Sequence, residues 1–155
     1  GIAGGPDKCR FLVEELGIAG AIDYKAQDLA ERLDQAGGFD VYFDNVGGPL
    51  LDAVLTRMHH YGRIAVCGLV SDYTSGSRTG PREFDQVLMR RLRVEGFFSP
   101  DFVDQGERLT ERLRAWFEAG DLVMHYDVTQ GLENTLRAYR KLFTGRNIGK
   151  VIVEL

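Results

Sequence analysis

Cysteine and histidine are scarce here, with two of the first and three of the second in 155 residues. Cys9 and Cys67 lie far apart and match no metal spacing. With only His59, His60 and His125 besides, the pattern argues against a structural or catalytic zinc site. Two lone cysteines fit a reducing cytoplasm. Positive charge is not in excess either: the net charge of −4 gives no basic footprint, which argues against a nucleic-acid partner. No apolar run is long enough to span a bilayer, so no membrane role is expected. No signal peptide is present, and the first residue is Gly1 rather than Met. We therefore expect a trimmed or excised piece of something longer. Internal repeats and low-complexity segments are absent.

What is present is an α/β pattern. The 19 glycines fall at element junctions, as a many-loop α/β protein requires. The organising stretch is Phe39 to Gly48, an apolar run that meets Asp44 and Asn45 and then turns on Gly47 and Gly48. It reads as a buried parallel strand. Ligands sit at the carboxyl ends of such strands, so Asn45 stands where a ligand contact belongs. Asp44 and Asn45 read equally well as a cap and turn for the next helix. Around this strand we expect a helix from Pro6 to Leu16, a strand over Ala21–Tyr24 and a helix from Gln27 to Ala36. A helix from about Leu50 to Met58 follows, with Gly62 as its stop and His59 and His60 in its last turn. A strand over Arg63–Gly68 comes next, then a loop from Ser71 to Pro81, a helix around Phe84–Arg91 and a strand over Leu92–Phe98. This alternation predicts a parallel sheet with helices on both faces. It ends near Pro100, where we place a boundary. Beyond it come a helix over Leu109–Ala119, a strand at Val123–Val128, a helix over Leu132–Phe143 and a closing strand over Lys150–Leu155.

Several strand ends carry candidate chemistry. In a dinucleotide fold an acid at the tip of the second strand holds the adenosine ribose. Here that tip is Gly4-Gly5, with Lys8 one turn later, which makes room for a phosphate and favours NADP over NAD. Lys8 also reads as a solvated lysine on a helix. Cys67-Gly68-Leu69-Val70-Ser71-Asp72-Tyr73 follows another strand. Gly68 would admit a cofactor backbone, and the Tyr73 phenol could act as an acid or polarise a carbonyl. The plainer reading makes Cys67 a small buried residue and Tyr73 an ordinary loop aromatic. Phe97, Phe98 and Ser99 end a third strand, as a wall for a carboxamide-bearing ring or as core. His125 has no evident partner. No Gly-x-Gly-x-x-Gly follows a strand, so the phosphate-cradling first turn of such a fold would lie upstream of Gly1.

Together Gly1-Ile-Ala-Gly-Gly-Pro-Asp-Lys-Cys, Ala21-Ile-Asp-Tyr-Lys25, Tyr42-Phe-Asp-Asn-Val-Gly-Gly48, Gly62-Arg-Ile-Ala-Val-Cys-Gly68, Glu95-Gly-Phe-Phe and Asn147-Ile-Gly-Lys-Val resemble one family. It is the zinc-independent medium-chain dehydrogenases/reductases, in the branch of leukotriene B4 dehydrogenase, prostaglandin reductase and alkenal double-bond reductase. The resemblance implies a Rossmann-like doubly wound parallel sheet over residues 1–99, lacking its first strand and glycine-rich turn. Residues 100–155 would be a segment returning to the substrate domain. It implies NADP(H) as cofactor and reduction of the carbon–carbon double bond of an enone or alkenal. Lys8 and Tyr24 would then meet the ribose 2′-phosphate, and Asn45 would lie near the nicotinamide half. Cys67, Gly68, Leu69, Val70, Ser71 and Tyr73 would line the nicotinamide ribose and substrate mouth. Phe97, Phe98 and Ser99 would meet the nicotinamide end, and Asn147 would touch the cofactor from the C-terminal segment. Tyr73 is the candidate for stabilising an enolate oxygen or relaying a proton.

The same resemblance implies a homodimer through the Leu92–Phe98 edge. It also implies two raw edges where the first strand is missing, to be filled by an absent part of the protein or by a second copy. We expect the chain alone not to be catalytically competent. Two other readings compete: a non-catalytic nucleotide-binding or interaction module with the same fold, and a methyltransferase. The returning Asn147-Ile-Gly-Lys-Val segment speaks against the methyltransferase.

Overall fold

The structure, a computed structural model, describes residues 1–26, 28–75 and 80–155, with the side chains of residues 74 and 75 excepted. Its first unit is β1 (Ile2–Ala3), α1 (Pro6–Glu14) and β2 (Ile22–Asp23). Gly5, at φ 100°, turns the chain between β1 and α1, and Pro6 starts the helix where its missing N–H costs nothing. Helix α2 (Leu29–Gln35) leads to β3 (Phe39–Asp44), α3 (Gly48–Leu55) and β4 (Met58–Val66). Then come α4 (Val70–Ser75), α5 (Asp85–Met89) and β5 (Arg93–Gly96). A 3-10 turn over Ser99–Gln105 precedes α6 (Gly106–Glu118). The chain closes with β6 (Tyr126–Gln130), α7 (Thr135–Thr144) and β7 (Lys150–Glu154). Among the described residues no helix is long and apolar enough to cross a membrane.

Among the described residues every strand pairing is parallel, but the strands form three sheets rather than one: β1-β2, β3-β4-β5 and β6-β7. The break between β1 and β3 falls where the doubly wound order places its first strand. The core lies under α3, where Val54, Leu55, Met58, Ile64 and Leu92 pack together. Ile2 of β1 and Phe39 and Tyr42 of β3 lean on that same cluster, which joins the two sheets through side chains. Each fully buried aliphatic of this kind is worth roughly 1.5–3 kcal/mol.

Several expectations change. Met58, His59 and His60 belong to β4, not to the end of a helix, and Gly62 lies inside that strand. The strand kinks at Tyr61, whose φ of 65° is left-handed, and its register against β3 slips between Phe39 and Val41. That kink interrupts the alternation a strand should show. Ser71–Pro81 is not all loop, since α4 takes up its start; residues 76–79 and Gln27 lie outside the described residues. One face of β3 is uncovered, with Val41 and Phe43 more than half exposed. Helix α7 buries Ala138 and pairs Lys141 with Asp127 of β6, while Leu136, Tyr139 and Phe143, at helical spacing, are more than half exposed. His125 does have a neighbour: its ring meets the Phe11 ring at 4.9 Å.

His59 ties β4 to β3 and to the loop that precedes β3. Its Nδ1 lies 2.9 Å from the Asp40 carboxylate and its Nε2 3.0 Å from the Gly37 carbonyl. Both acceptors are satisfied only by the doubly protonated ring. The Asp40 carboxylate, then the Gly37 carbonyl, raise its pKa above the ordinary histidine value. Such a group contributes fully below the unfolded-state pKa, about 6.5, and its contribution is lost as pH rises through the folded-state value. The urea midpoint should therefore drop as pH rises from about 6.5 through the raised folded-state value, and drop less in His59→Gln. Equal pH dependence in the two proteins would exclude the tie.

Candidate functional site

Parallel register brings three strand ends level: Asp44 of β3 pairs with Val66 of β4, and Val66 with Gly96 of β5. The loops that follow are stitched together. The Asp44 carbonyl accepts the Cys67 N–H at 2.8 Å and the Gly68 N–H at 3.2 Å. The Asn45 carbonyl accepts the Val70 N–H, and the Val46 carbonyl accepts both the Ser71 N–H and, at 2.7 Å, its hydroxyl. The Phe97 N–H donates to the Val66 carbonyl. Gly68 suits this position, because a Cβ would stand 3.2 Å from the Asn45 carbonyl oxygen, tighter than ordinary contact. That close approach is to the neighbouring loop.

Beneath these loops lies Asp44, fully buried. Its Oδ1 accepts the Val46 and Gly47 N–H groups at 2.9 Å each and the Tyr42 hydroxyl at 3.2 Å. Its Oδ2 is buried without a protein partner. Burial, and next the Asp44 charge, push the Tyr42 phenol well above its ordinary value, which keeps it a neutral donor. Asp44 thus fixes the turn that presents Asn45, whose side chain is exposed at the strand tip. Phe43, Phe97 and Phe102 form an aromatic row beside it, with centroids 5.8 and 6.4 Å apart.

A second site lies at the ends of β1 and β2. A cleft of about 260 Å³ is lined by Gly4, Gly5, Lys8, Gly145, Arg146 and Ile148 among others. The Lys8 and Lys25 Nζ atoms both stand about 4 Å from where a Cβ on Gly145 would project. Burial, and then the Lys25 charge, lower the Lys8 pKa. Lys8 and Arg146 therefore line one cleft at the start of a helix, with the Lys25 ammonium at its Gly145 edge, where an anion is favoured. Asp7 also lines the cleft, with its carboxylate paired to Arg10 at 2.8 Å. A dianionic phosphate fits this donor set.

Of the expected residues, the fold gathers Asn45, Cys67, Gly68, Leu69, Val70, Ser71 and Phe97 around adjoining strand ends. Phe98 and Ser99 follow directly in chain, both exposed. Tyr73 lies on α4 with 73% of its surface exposed. Cys67 is exposed, which corrects its reading as a small buried residue. Lys8 and Tyr24 sit at the other sheet, where the Tyr24 ring packs close over Gly4. The Asn147 amide donates to the Gly149 carbonyl at 3.0 Å, within its own turn. Lys25, Arg146, Asp23 and the buried Asp44 were not singled out as site residues. The Lys25 and Arg146 charges stand beside expected residues in sequence, and that adjacency was the available signal.

Comparison with known proteins gives a consistent result. A family model described as zinc-binding dehydrogenase matches residues 16–153. The NADP+-dependent 2-alkenal reductase of Nicotiana tabacum is 40% identical over 156 residues, covering 99% of this chain and 46% of the tobacco protein. The NADPH-dependent curcumin reductase of Escherichia coli K12 is 38% identical over 165 residues, covering 100% of this chain and 47% of that one. The crystal structure of CurA from Vibrio vulnificus in complex with NADPH superposes with a TM-score of 0.86 at 38% identity, over 99% of this chain and 48% of CurA. The chain thus spans about half the length of the curated relatives it matches. Although the family description names zinc, the described residues gather no three His, Cys, Asp or Glu side chains able to hold a metal.

Asp44→Ala should destabilise the protein by about 1–3 kcal/mol, because it strands two buried N–H groups and a hydroxyl. Asp44→Asn keeps an acceptor at Oδ1 and should lose less. Chemical denaturation reads both, and an unchanged midpoint in the alanine variant would contradict the role assigned to this carboxylate.

Proposed function

The chain belongs to the zinc-binding dehydrogenase family, as a C-terminal portion of a medium-chain reductase, and from that premise we propose that it serves NADPH-dependent, zinc-independent reduction of the carbon–carbon double bond of α,β-unsaturated ketones or aldehydes. The observation that carries the cofactor assignment is the cation cleft: Lys8, Lys25 and Arg146 converge beside Gly4-Gly5. In this reading it receives the 2′-phosphate, with Tyr24 beside it. The activity belongs to the complete polypeptide, of which residues 1–99 form part of the dinucleotide-binding domain. Residues 100–155 return to the substrate domain.

When bound, the reduced nicotinamide supplies the hydride for the β-carbon. The residues of this chain do the placing. Asn45 and the backbone of Cys67–Ser71 orient the nicotinamide half. The Phe43 and Phe97 rings exclude water from one side, and Phe98 and Ser99 close the nicotinamide end. Asn147 approaches from the C-terminal turn. Tyr73 offers its hydroxyl to the carbonyl oxygen as charge develops there, or passes a proton. No step is routed through a metal. β5 is the outer strand of its sheet and each of its residues is exposed, which suits pairing with a second copy. Two unpaired cysteines suit a reducing cytoplasm.

Calorimetry at matched salt should show NADPH binding more tightly than NADH, with Lys8→Ala closing the gap by about tenfold, or about 1.4 kcal/mol. Equal affinities in the native protein would refute the phosphate assignment. In the complete polypeptide, NADPH oxidation should depend on an added enone or alkenal. Tight NADPH binding with no turnover on either class would favour a non-catalytic nucleotide-binding module.

A further inference from the structure

We propose that Asp23 selects the cofactor without touching it: its carboxylate locks the glycine turn after β1 to the lysine turn after β2, and so sets the spacing of the Lys8 and Lys25 ammonium groups. The inference rests on reading the cation cleft as a 2′-phosphate site. Asp23 ends β2 in register with Ala3, which ends β1. Its Oδ1 accepts the Gly5 N–H at 2.8 Å and the Lys25 N–H at 2.9 Å. One oxygen therefore ties two turns, that at Gly5 being 18 residues before Asp23 in sequence.

Each strand of this pair is only two residues long. The ladder beyond them adds the bonds from Ile22 N–H to the Gly1 carbonyl and from Tyr24 N–H to the Ala3 carbonyl. Asp23 is the cross-tie at the rim, where the cleft opens. Both bonds involve an ionised acceptor, the stronger kind, and they hold the carboxyl below its ordinary pKa. What they hold opposes a repulsion. The Lys25 charge acts on Lys8, so the two ammonium groups would separate if their backbones were free. A phosphate dianion needs both at a fixed separation. A cofactor without that phosphate does not. Loss of the tie should therefore fall on NADPH and spare NADH, a pattern that simple loss of stability would not give.

The test is calorimetric binding of NADPH and NADH to the complete gene product carrying this chain, in native form and as Asp23→Ala, Asp23→Asn and Gly5→Ala. Asp23→Ala should lower the NADPH-to-NADH affinity ratio by about tenfold or more, with NADH affinity held within about twofold. Asp23→Asn keeps a carbonyl oxygen in place and should retain the ratio within about threefold. Gly5→Ala loosens the same turn from its other side: its Cβ meets no atom within 4 Å, and only the φ of 100° is strained. It should reproduce the Asp23→Ala result, and it carries the comparison if Asp23→Ala does not fold. A native ratio in Asp23→Ala, or in Gly5→Ala where the former does not fold, overturns the inference. So does an Asp23→Asn loss as large as that of alanine, which would make the charge rather than the tie responsible. A native protein with no NADPH preference overturns the cofactor reading itself, and this inference with it.

Discussion

Parallel strands cannot be joined by a tight turn, because each must return to the same end of the sheet before it starts again. That constraint orders this chain. Helices α1 and α3 each carry the chain back to a parallel partner strand, so loops of one kind collect at the carboxyl ends. Asn45, Cys67 and Phe97 meet although they are distant in sequence, since Asp44, Val66 and Gly96 stand in register. The short bonds from the Asp44, Asn45 and Val66 carbonyls then convert neighbouring loops into one surface.

How much of this was legible depends on whether the signal was local. The β3 strand and its Gly47-Gly48 turn were, because an apolar run followed by polar residues and glycines has few alternatives. The start of α1 at Pro6 was legible for the same reason. The β4 boundary was not. Met58 continues the apolar helical spacing of Leu51, Val54 and Leu55, and the kink at Tyr61, whose N–H donates to the distant Arg90 carbonyl, lies with a register slip against β3 that no local window contains. Leu136, Tyr139 and Phe143 share a helical stripe, yet α7 docks through Ala138 and Lys141 instead, with Lys141 paired to the part-buried Asp127 of β6.

The site divides along the same line. Lys8 and Asn45 stood out as polar residues at strand tips. Asp23 and Asp44 did not, because their importance lies in which backbone N–H groups reach them: Gly5 and Lys25 for one, Val46 and Gly47 for the other. Both acids act as acceptors for turns rather than as charges facing a ligand. Arg146 joins the cation cleft only because the turn after α7 approaches the start of α1.

The cleft between Lys8, Lys25 and Gly145 also has a practical side. The Lys8 and Lys25 ammonium groups, held close together, attract whatever small dianion the solution offers. Phosphate or sulfate buffer would compete for this cleft with the nucleotide and blunt any discrimination between the two nicotinamide cofactors. The same ions would raise the melting temperature of the protein by mass action. The choice of buffer is thus part of the chemistry of this protein: a zwitterionic one leaves the cleft to its ligand.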